Sequence, residues 1–257
     1  MPRRRITHPG EEKSFLILNL RSSLFHLLLT PMSTPRIKTP GTPQIIEEYY
    51  RFLRSRSFPC IGAKAALSMD HVKCFVALDM ASPQEDEKIL SFIYQFVDSY
   101  RSSNESFHSA AVIFRNSQTL SESEFEDMLW SRLNSLADLD RKKYTHDKRV
   151  DPDPTSSRFS FSLKREAFFI IGLHPSSTRK ARRFTYPAIV FNPHEEFERL
   201  KRAGRYEAMK KVVRRRDKMY SGSVNPMLKD FGEAPEVFQY SGKQYDSTWK
   251  CPLHHKP

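Results

Sequence analysis

The feature that most constrains the fold of this chain is an alternation of short apolar runs with amphipathic helical segments. The runs are rich in β-branched and aromatic residues, which favours strands, and they cover residues 72–80, 109–114, 167–173 and 187–191. Residues 158–163 alternate apolar and polar side chains, so we expect them to pair antiparallel with 167–173. The sequence therefore predicts a central sheet built from these segments.

Helical segments lie between and around these runs, and three of them carry a recognisable start. At 82–85, 121–124 and 192–195 an N-cap residue is followed three residues later by a glutamate, the pattern of a capping box. Further helices are expected near 45–55 and over 205–219. The order of elements predicts an α/β fold, with mixed α+β as the alternative: a single domain whose central mixed sheet is flanked by helices.

The two ends of the chain differ from this pattern. Residues 1–44 include a Pro/Thr-rich stretch and are expected to be an extension and linker that is poorly ordered, which leaves 45–257 as the domain. From about residue 221 little regular structure is expected. That region contains too many apolar anchors to be disordered, so we predict a long ordered loop region packed over the sheet.

The net charge of +12 is concentrated in one part of the chain. Residues 164–218 hold 16 Lys/Arg and 6 Asp/Glu, a balance of +10. Such a segment indicates an anionic partner. The basic 199–218 helix therefore favours nucleic-acid binding as the alternative function. The signatures of common nucleic-acid-binding folds are absent, which makes that partner the less favoured one.

The cysteines and the hydropathy of the chain together predict a cytoplasmic location. The chain has three cysteines, a small and odd number that argues against a disulfide scaffold and indicates a reducing compartment. No run of 18 apolar residues occurs, so we expect no transmembrane helix. Residues 15–29 are the most apolar stretch, and they leave a targeting signal open as an alternative.

The C-terminal third is dense in residues that contribute little to a core. The pieces GLHPSS (172–177), ARRF (181–184), FNPH (191–194), NPMLKDFGE (225–233) and QYSGK (239–243) are rich in His, Asn, Asp, Ser and Gly. So many polar and turn-forming residues in so short a span indicate a functional site. His174 and His194 each follow an apolar run, and either could offer an imidazole nitrogen to a metal.

Together with FPCIGAKAAL at 58–67, these motifs resemble the YqcI/YcgG family over about residues 45–252. That family includes heme-dependent N-hydroxylases of arginine and related guanidino compounds. The resemblance implies a heme cofactor and an oxidoreductase that hydroxylates a nitrogen of a guanidino or amino substrate with O₂. No GxGxxG dinucleotide fingerprint is present, so the reductant is expected to be an external electron donor.

The resemblance also implies roles for individual residues. We expect His174 to be the iron ligand, with His194, Cys251 and Cys60 as the alternatives. Arginine pairs with carboxylates through two parallel hydrogen bonds, so the group beside His174 suits the heme propionates. This group consists of Arg179, Arg182 and Arg183.

A guanidino substrate would need local acids in so basic a protein. Asp230 and Glu233 are expected to hold it beside the iron, with further hydrogen bonds from Asn225, Gln239 and Tyr240. Relatives typically carry arginine where this chain has Phe238 and Lys243, which makes free arginine a less certain substrate. A heme protein without catalytic activity is the remaining alternative, and it would need no substrate carboxylates.

Overall fold

The computed structural model describes residues 41–116 and 121–254, and within them the chain forms a mixed α+β domain. The helices are α1 (Thr42–Arg54), α2 (Ile61–Ser68), α3 (Asp86–Ser102), α4 (Glu122–Asp140), α5 (His194–Arg202) and α6 (Tyr206–Ser221). The strands are β1 (Val72–Ala77), β2 (Ser109–Phe114), β3 (Phe161–Leu163), β4 (Glu166–Leu173) and β5 (Ala188–Pro193). Short 3₁₀ helices cover Pro83–Glu85, Lys180–Arg182 and Glu236–Gln239.

The five strands form one mixed sheet in the order β1-β2-β5-β4-β3. β1 and β2 are parallel, because α3 carries the chain back between them, while the other neighbours are antiparallel. The hairpin of β3 and β4 turns through Lys164 and Arg165, which both have positive φ. The predicted central mixed sheet and its antiparallel hairpin are confirmed.

Both faces of the sheet are covered, and β2 shows why its sequence is apolar throughout. Ala110 and Val112 belong to the cluster that α3 and α4 form on one face. Ala111 and Ile113 belong to the cluster that α1 forms on the other face. Successive strand residues point to opposite faces, so a strand covered on both sides is a continuous apolar run.

Of the three predicted capping boxes one forms, although Ser82 is the N-cap and Pro83 the first residue of a 3₁₀ helix, as predicted. Ser121 and Glu124 form the reciprocal capping box at the start of α4. Glu85 instead accepts a hydrogen bond from the backbone N–H of Leu78, so the capping box predicted there is wrong. Asn192 lies within β5, where its side chain bonds to Ser109 and to the carbonyl of Phe169, and α5 begins only at His194. Pairing with β4 outweighs the local capping signal.

The C-terminal region follows its prediction. After α6 ends at Ser221, with Gly222 as its C-cap at positive φ, the described chain contains one short 3₁₀ helix and otherwise turns and extended segments. Val237 and Tyr240 from this region are buried in the main core. Residues 1–40, most of the predicted extension, lie outside the described residues. In the part of the chain that is described, no helix has the length and hydropathy of a membrane span.

Candidate functional site

The two histidines nominated by the sequence lie at opposite ends of one strand pair. His174 follows β4 where Leu173 pairs with Ala188, and His194 follows β5 where Pro193 pairs with Phe168. Five residue steps separate Phe168 from Leu173 in this register. At about 3.3 Å per residue, the two ends are roughly 17 Å apart. The structure therefore contains two candidate sites, which we call the His174 end and the His194 end.

His174 is fully buried and lacks polar contacts to its ring. Its exposed fraction is 0%, and its ring stacks on Phe125 with 4.2 Å between the ring centroids. Neither ring nitrogen has a hydrogen-bond partner among the described residues. Burial lowers the pKa of His174 to about 4, and the nearby Arg182 guanidinium adds to this effect. The side chain is therefore a neutral imidazole with both nitrogens uncommitted, an arrangement that is rare for a buried polar group.

Arg182 is a second unusual group at the His174 end. Its guanidinium is buried and donates to the main-chain carbonyls of Gly172 (3.1 Å), Tyr240 (3.2 Å) and Gln239 (2.8 Å). No carboxylate of the described chain lies within salt-bridge distance of it. Burial, together with repulsion from Arg179, lowers the pKa of Arg182 to about 10. The Asp217 carboxylate stabilises this cation only partly, because it is already paired with Arg179, so Arg182 is suited to accept an anionic ligand group.

The other two arginines differ from Arg182. Arg179 forms a salt bridge of 2.6 Å with Asp217 and also donates to the carbonyl of Ser223, so its guanidinium is already paired. Arg183 is exposed and donates from Nε to the carbonyl of Ser177. The remaining Nη groups of Arg183 make it the second available cation beside His174.

The His194 end contains a small pocket between α5, the start of α6 and the C-terminal region. Its volume is about 110 Å³. The pocket is lined by aromatic, aliphatic, charged and amide side chains: Phe169, His194, Phe197, Lys201, Tyr206, Leu228, Lys229, Asp230, Phe231, Ala234, Glu236 and Gln239. Small-molecule pockets usually measure about 300–1,000 Å³, so this one fits a small group and not a macrocycle. Three nominated residues, His194, Asp230 and Gln239, meet here.

His194 lies at the edge of this pocket. Its ring contacts Phe231 edge-on, with 4.3 Å between the ring centroids. Its Nε2 lies 3.8 Å from a carboxylate oxygen of Glu198. Burial lowers its pKa and outweighs the attraction of Glu198. His194 is therefore neutral like His174, but it has a polar neighbour that His174 lacks.

Asp230 and Glu233, the predicted substrate acids, are both engaged in local structure. The Asp230 carboxylate contacts the ammonium of Lys210 at 2.7 Å, the guanidinium of Arg214 at 3.4 Å and the hydroxyl of Tyr206 at 3.2 Å. These partners lower the pKa of Asp230 against the effect of burial. Glu233 accepts a hydrogen bond from the backbone N–H of Asp230 and closes a turn. Two cations already neutralise Asp230, so it is poorly placed to pair with a third.

Glu236 is a functional candidate that the sequence reasoning missed. It lines the pocket, and its Oε1 accepts hydrogen bonds from Ser160 (2.7 Å) and Tyr240 (2.5 Å). Burial raises the pKa of Glu236 to about 8. The sequence indicates this role only weakly, because a glutamate directly after Pro235 is typical of the first turn of a helix. Its burial depends on Ser160 and Tyr240, which are distant in sequence.

The other nominated polar residues have structural contacts. Asn225 accepts a hydrogen bond from the backbone N–H of Met227 and forms a turn away from the pocket lining. Tyr240 is buried, and its hydroxyl contacts Glu236 and the backbone N–H of Phe161. Gln239 donates to the carbonyl of Lys229, and its buried Oε1 has no hydrogen-bond partner among the described residues.

The candidate cysteine ligands are held as thiols. Cys60 caps α2 by accepting from the backbone N–H of Ala63, and burial raises its pKa. Burial raises the pKa of Cys251 to about 12. A metal-binding thiolate needs the opposite shift, which favours the histidines over both cysteines. Within the described residues, no group of three or more His, Cys, Asp or Glu side chains could hold a metal ion, and a heme iron needs fewer protein ligands than that.

These features define a mixed-sheet domain covered on both faces, with a buried neutral imidazole at one end and a small pocket at the other. The chain belongs to the YqcI/YcgG family, whose model matches residues 49–254. It is similar to a protein described as uncharacterized protein YqcI from Bacillus subtilis (strain 168), with 24% identity over 213 residues. The match covers 78% of this chain and 82% of that protein. No solved structure matches.

Proposed function

We propose that this chain is a heme-dependent N-hydroxylase, an oxidoreductase that hydroxylates a nitrogen of arginine or of a related guanidino or amino compound. It would use O₂ and an external electron donor. The observation that carries the proposal is the imidazole of His174, which is buried, neutral and unpaired at both ring nitrogens. A neutral imidazole nitrogen is what a heme iron requires of a proximal histidine.

The residues around His174 fit such a cofactor. Arg182 offers a buried guanidinium without a carboxylate partner, and Arg183 offers an exposed one, so the two could hold the propionates. When bound, heme supplies the activation of O₂. The chain's own contribution is to present the imidazole in its neutral form, to neutralise the propionates and to exclude water with Phe125.

The experiment is a heme titration followed by absorption spectroscopy. Wild-type protein should saturate at one heme per chain, and His174→Ala should lose the Soret band of the ligated form. His174→Gly with added imidazole should regain it, because a free imidazole can occupy the space that the side chain leaves. His194→Ala is the matched control and should bind heme as the wild type does. Absence of saturable heme binding to the wild type would end the proposal.

Catalysis is tested separately from binding. With O₂, a chemical reductant and arginine or a simpler guanidino compound, mass spectrometry should detect a product heavier by one oxygen atom. A protein that binds heme fully but yields no such product with any guanidino or amino compound offered would instead be a non-catalytic heme protein.

Nucleic-acid binding is the rival function, and the contacts of α5 and α6 weaken it. Lys201, Arg202 and Lys210 form salt bridges with acids of their own helices. Arg214 pairs with Asp230, and Arg216 donates to main-chain carbonyls. Affinity for DNA or RNA that falls steeply with salt would revive the rival.

A cytoplasmic location is part of the proposal. The three cysteines are all free thiols, which suits a reducing compartment. Fractionation of cells that express the chain would test this.

A further inference from the structure

The helix α6 is attached to the domain by polar contacts more than by apolar packing. Asp217 is the one residue of this helix that is buried, and its carboxylate pairs with Arg179. The apolar stripe of a surface helix normally faces the core. In α6 the larger aliphatic side chains are half-buried or exposed, so the domain leaves this stripe partly uncovered, and Met219 is 81% exposed.

A groove lies between the first half of α6 and α2, and we call it the α6 groove. Its volume is about 460 Å³. Its walls are formed by Ile61 and Ala65 from α2, by Ala208 and Val212 from α6, and by Phe107. These side chains are all apolar, so the groove offers a ligand no hydrogen-bonding side chain along its walls.

A second depression, of about 230 Å³, lies farther along α6, where Met219 faces the loop before α2. The residues that line the two depressions recur along α6 at intervals of three and four, so they share one face of the helix. They are Arg205, Met209, Val212, Arg216 and Met219. The two depressions therefore follow one helix face from end to end.

The edge of this face is positively charged. Lys211, Arg215 and Lys218 follow one another at intervals of four and three along the neighbouring stripe of α6, and Arg205 lines the groove itself. All four side chains are exposed, and none forms an ion pair with a carboxylate of residues 41–116 or 121–254. Both acids of α6 are already paired with other bases. We call these four residues the basic rim.

The shape and the chemistry of this surface together select a class of partner. α6 has 16 residues, which at 1.5 Å per residue gives a length of about 24 Å. An amphipathic helix of similar length can place its apolar face in such a groove. A nucleic acid would leave the apolar walls uncovered, and a flat membrane surface would not enter the groove. The unpaired cations of the basic rim favour a partner whose polar side is acidic.

We propose that the α6 groove and the basic rim dock an acidic amphipathic helix of a partner protein. Apolar side chains of the partner fill the groove, and its carboxylates pair with the rim. Because Asp217 of α6 pairs with Arg179, the docked partner lies against the helix that borders the His174 end. The docking surface does not depend on the proposed heme chemistry.

The test is fluorescence anisotropy of the full chain with a labelled peptide of about 18 residues, stapled to be helical so that it spans the length of α6. The peptide carries leucine at every third or fourth position and glutamate on its other face. It should bind at least tenfold more tightly than a peptide of the same composition whose leucines are spread around the helix. It should also bind at least tenfold more tightly than a peptide with lysine in place of glutamate.

One pair of variants tests the groove. Ala208→Glu puts a carboxylate into the wall of the groove and should weaken binding of the peptide at least tenfold. Ala208 is exposed and glutamate is a good helix former, so the fold should be retained, which circular dichroism checks. Ser131→Glu is the matched control. Ser131 is exposed on α4, which packs on the opposite face of the sheet from α2, and this variant should bind as the wild type does.

A second pair of variants tests the basic rim. Replacement of Lys211 and Arg215 together by glutamine should weaken binding about fivefold, because two exposed ion pairs are lost. Salt should then have less effect on the affinity than it has for the wild type. Replacement of Lys142 and Lys143 by glutamine removes the same charge from exposed residues after α4, and the affinity should stay within twofold of the wild type.

The proposal is overturned if the wild type does not bind the peptide at up to about 100 μM in low salt, a limit that corresponds to a very weak complex. Equal binding of the peptide with spread leucines, or full binding by Ala208→Glu, would also overturn it.

Other occupants of the groove give different results, and each would replace the proposal. Binding of the full chain to phosphatidylglycerol vesicles that Ala208→Glu abolishes would assign the surface to a membrane. A dimer in sedimentation that the same variant dissociates would assign it to a second copy of this chain. Duplex DNA that displaces the peptide and binds more tightly would assign the rim to nucleic acid. All of these measurements use protein without added heme, so their failure and the failure of the heme titration are independent.

Discussion

The His174 end and the His194 end contain similar side chains: each has a histidine, basic residues and a buried polar group. They differ in how the charged side chains are neutralised. At the His174 end, Arg182 is surrounded by main-chain carbonyls and His174 has no polar partner. At the His194 end, most charges are paired and the exception is Glu236, which is neutral through protonation. The first end therefore contains a buried guanidinium without a salt-bridge partner, and the second contains a buried carboxyl group without one.

The sequence predicts that His174 and Asp230 belong to one site, whereas in the structure they lie at different ends of the β4–β5 pair. If His174 holds iron, the expected placement of Asp230 beside the iron conflicts with its position in the pocket at the His194 end. If His194 holds iron, the pocket with Glu236 becomes the substrate site. The heme titration with the two histidine variants decides between these arrangements, and the predictions below test the two ends by other means.

The largest expected effect is the pH dependence of stability that Glu236 causes. Its folded pKa of about 8 lies above the ordinary value of about 4.5, so the folded state binds the proton more tightly. This contribution is fully present below pH 4.5 and is lost as the pH rises through 8, by roughly 5 kcal/mol. Urea unfolding of Glu236→Gln between pH 5 and pH 9 should lack this loss. An equal alkaline loss in the variant would contradict the assignment.

Arg182→Met should destabilise the fold by about 3 kcal/mol, because the carbonyls of Gly172 and Gln239 lose the guanidinium as donor, while that of Tyr240 keeps only the backbone N–H of Gly172. Arg183→Met, which removes an exposed side chain with one main-chain bond, should cost less than 1 kcal/mol and serves as the control. Unfolding midpoints in urea measure both variants. If the two variants lost similar free energies of unfolding, Arg182 would contribute no more to stability than the exposed Arg183.

His174 should act on stability in the opposite pH direction to Glu236. Its folded pKa of about 4 lies below the ordinary value of about 6.5, so the unfolded state binds protons first. Stability attributable to His174 is present above pH 6.5 and is lost as the pH falls toward 4, by roughly 2–3 kcal/mol. His174→Leu should unfold with a shallower pH dependence between pH 6.5 and pH 4. An unchanged acid slope would indicate that the imidazole is solvated in the folded state.

Gly172→Ala tests how tightly the His174 end is packed. A Cβ at this position would lie 2.8 Å from the Phe125 ring and 2.9 Å from the carbonyl oxygen of Tyr240. Overpacking of this kind costs about 1–3 kcal/mol, and displacement of Phe125 should also weaken heme binding. Gly62→Ala, whose new methyl group would find ordinary contacts of 3.7 Å or more, is the control. If Gly172→Ala had the same free energy of unfolding as the wild type, the Phe125 ring and the neighbouring backbone would be able to move aside for the added methyl group.

Asp230→Asn should have the smallest effect and lower the free energy of unfolding by less than about 1 kcal/mol, because the salt bridges of Asp230 with Lys210 and Arg214 are partly exposed to solvent. The loss should shrink further in high salt, which screens such pairs. Thermal unfolding at low and high salt measures it. A loss of several kcal/mol would mean that Asp230 anchors the C-terminal region.

The sequence determined the local elements of this protein. The apolar runs at residues 109–114 and 167–173 and the capping box at Ser121 reflect steric and hydrogen-bonding preferences of neighbouring residues, which act whatever the rest of the chain does. The density of polar motifs after residue 170 also identified the part of the chain where both sites lie. These features could be predicted because each depends on residues close together in sequence.

Only the tertiary structure decided how those elements combine. Strand order and direction placed His174 and His194 at opposite ends, since an antiparallel neighbour reverses the direction of the chain. Burial under distant residues made Glu236 neutral and left His174 without partners, while Lys210 and Arg214 came to neutralise Asp230. Desolvation and charge pairing depend on groups far apart in the sequence, so the charge state of each candidate residue could not be obtained from the motifs alone.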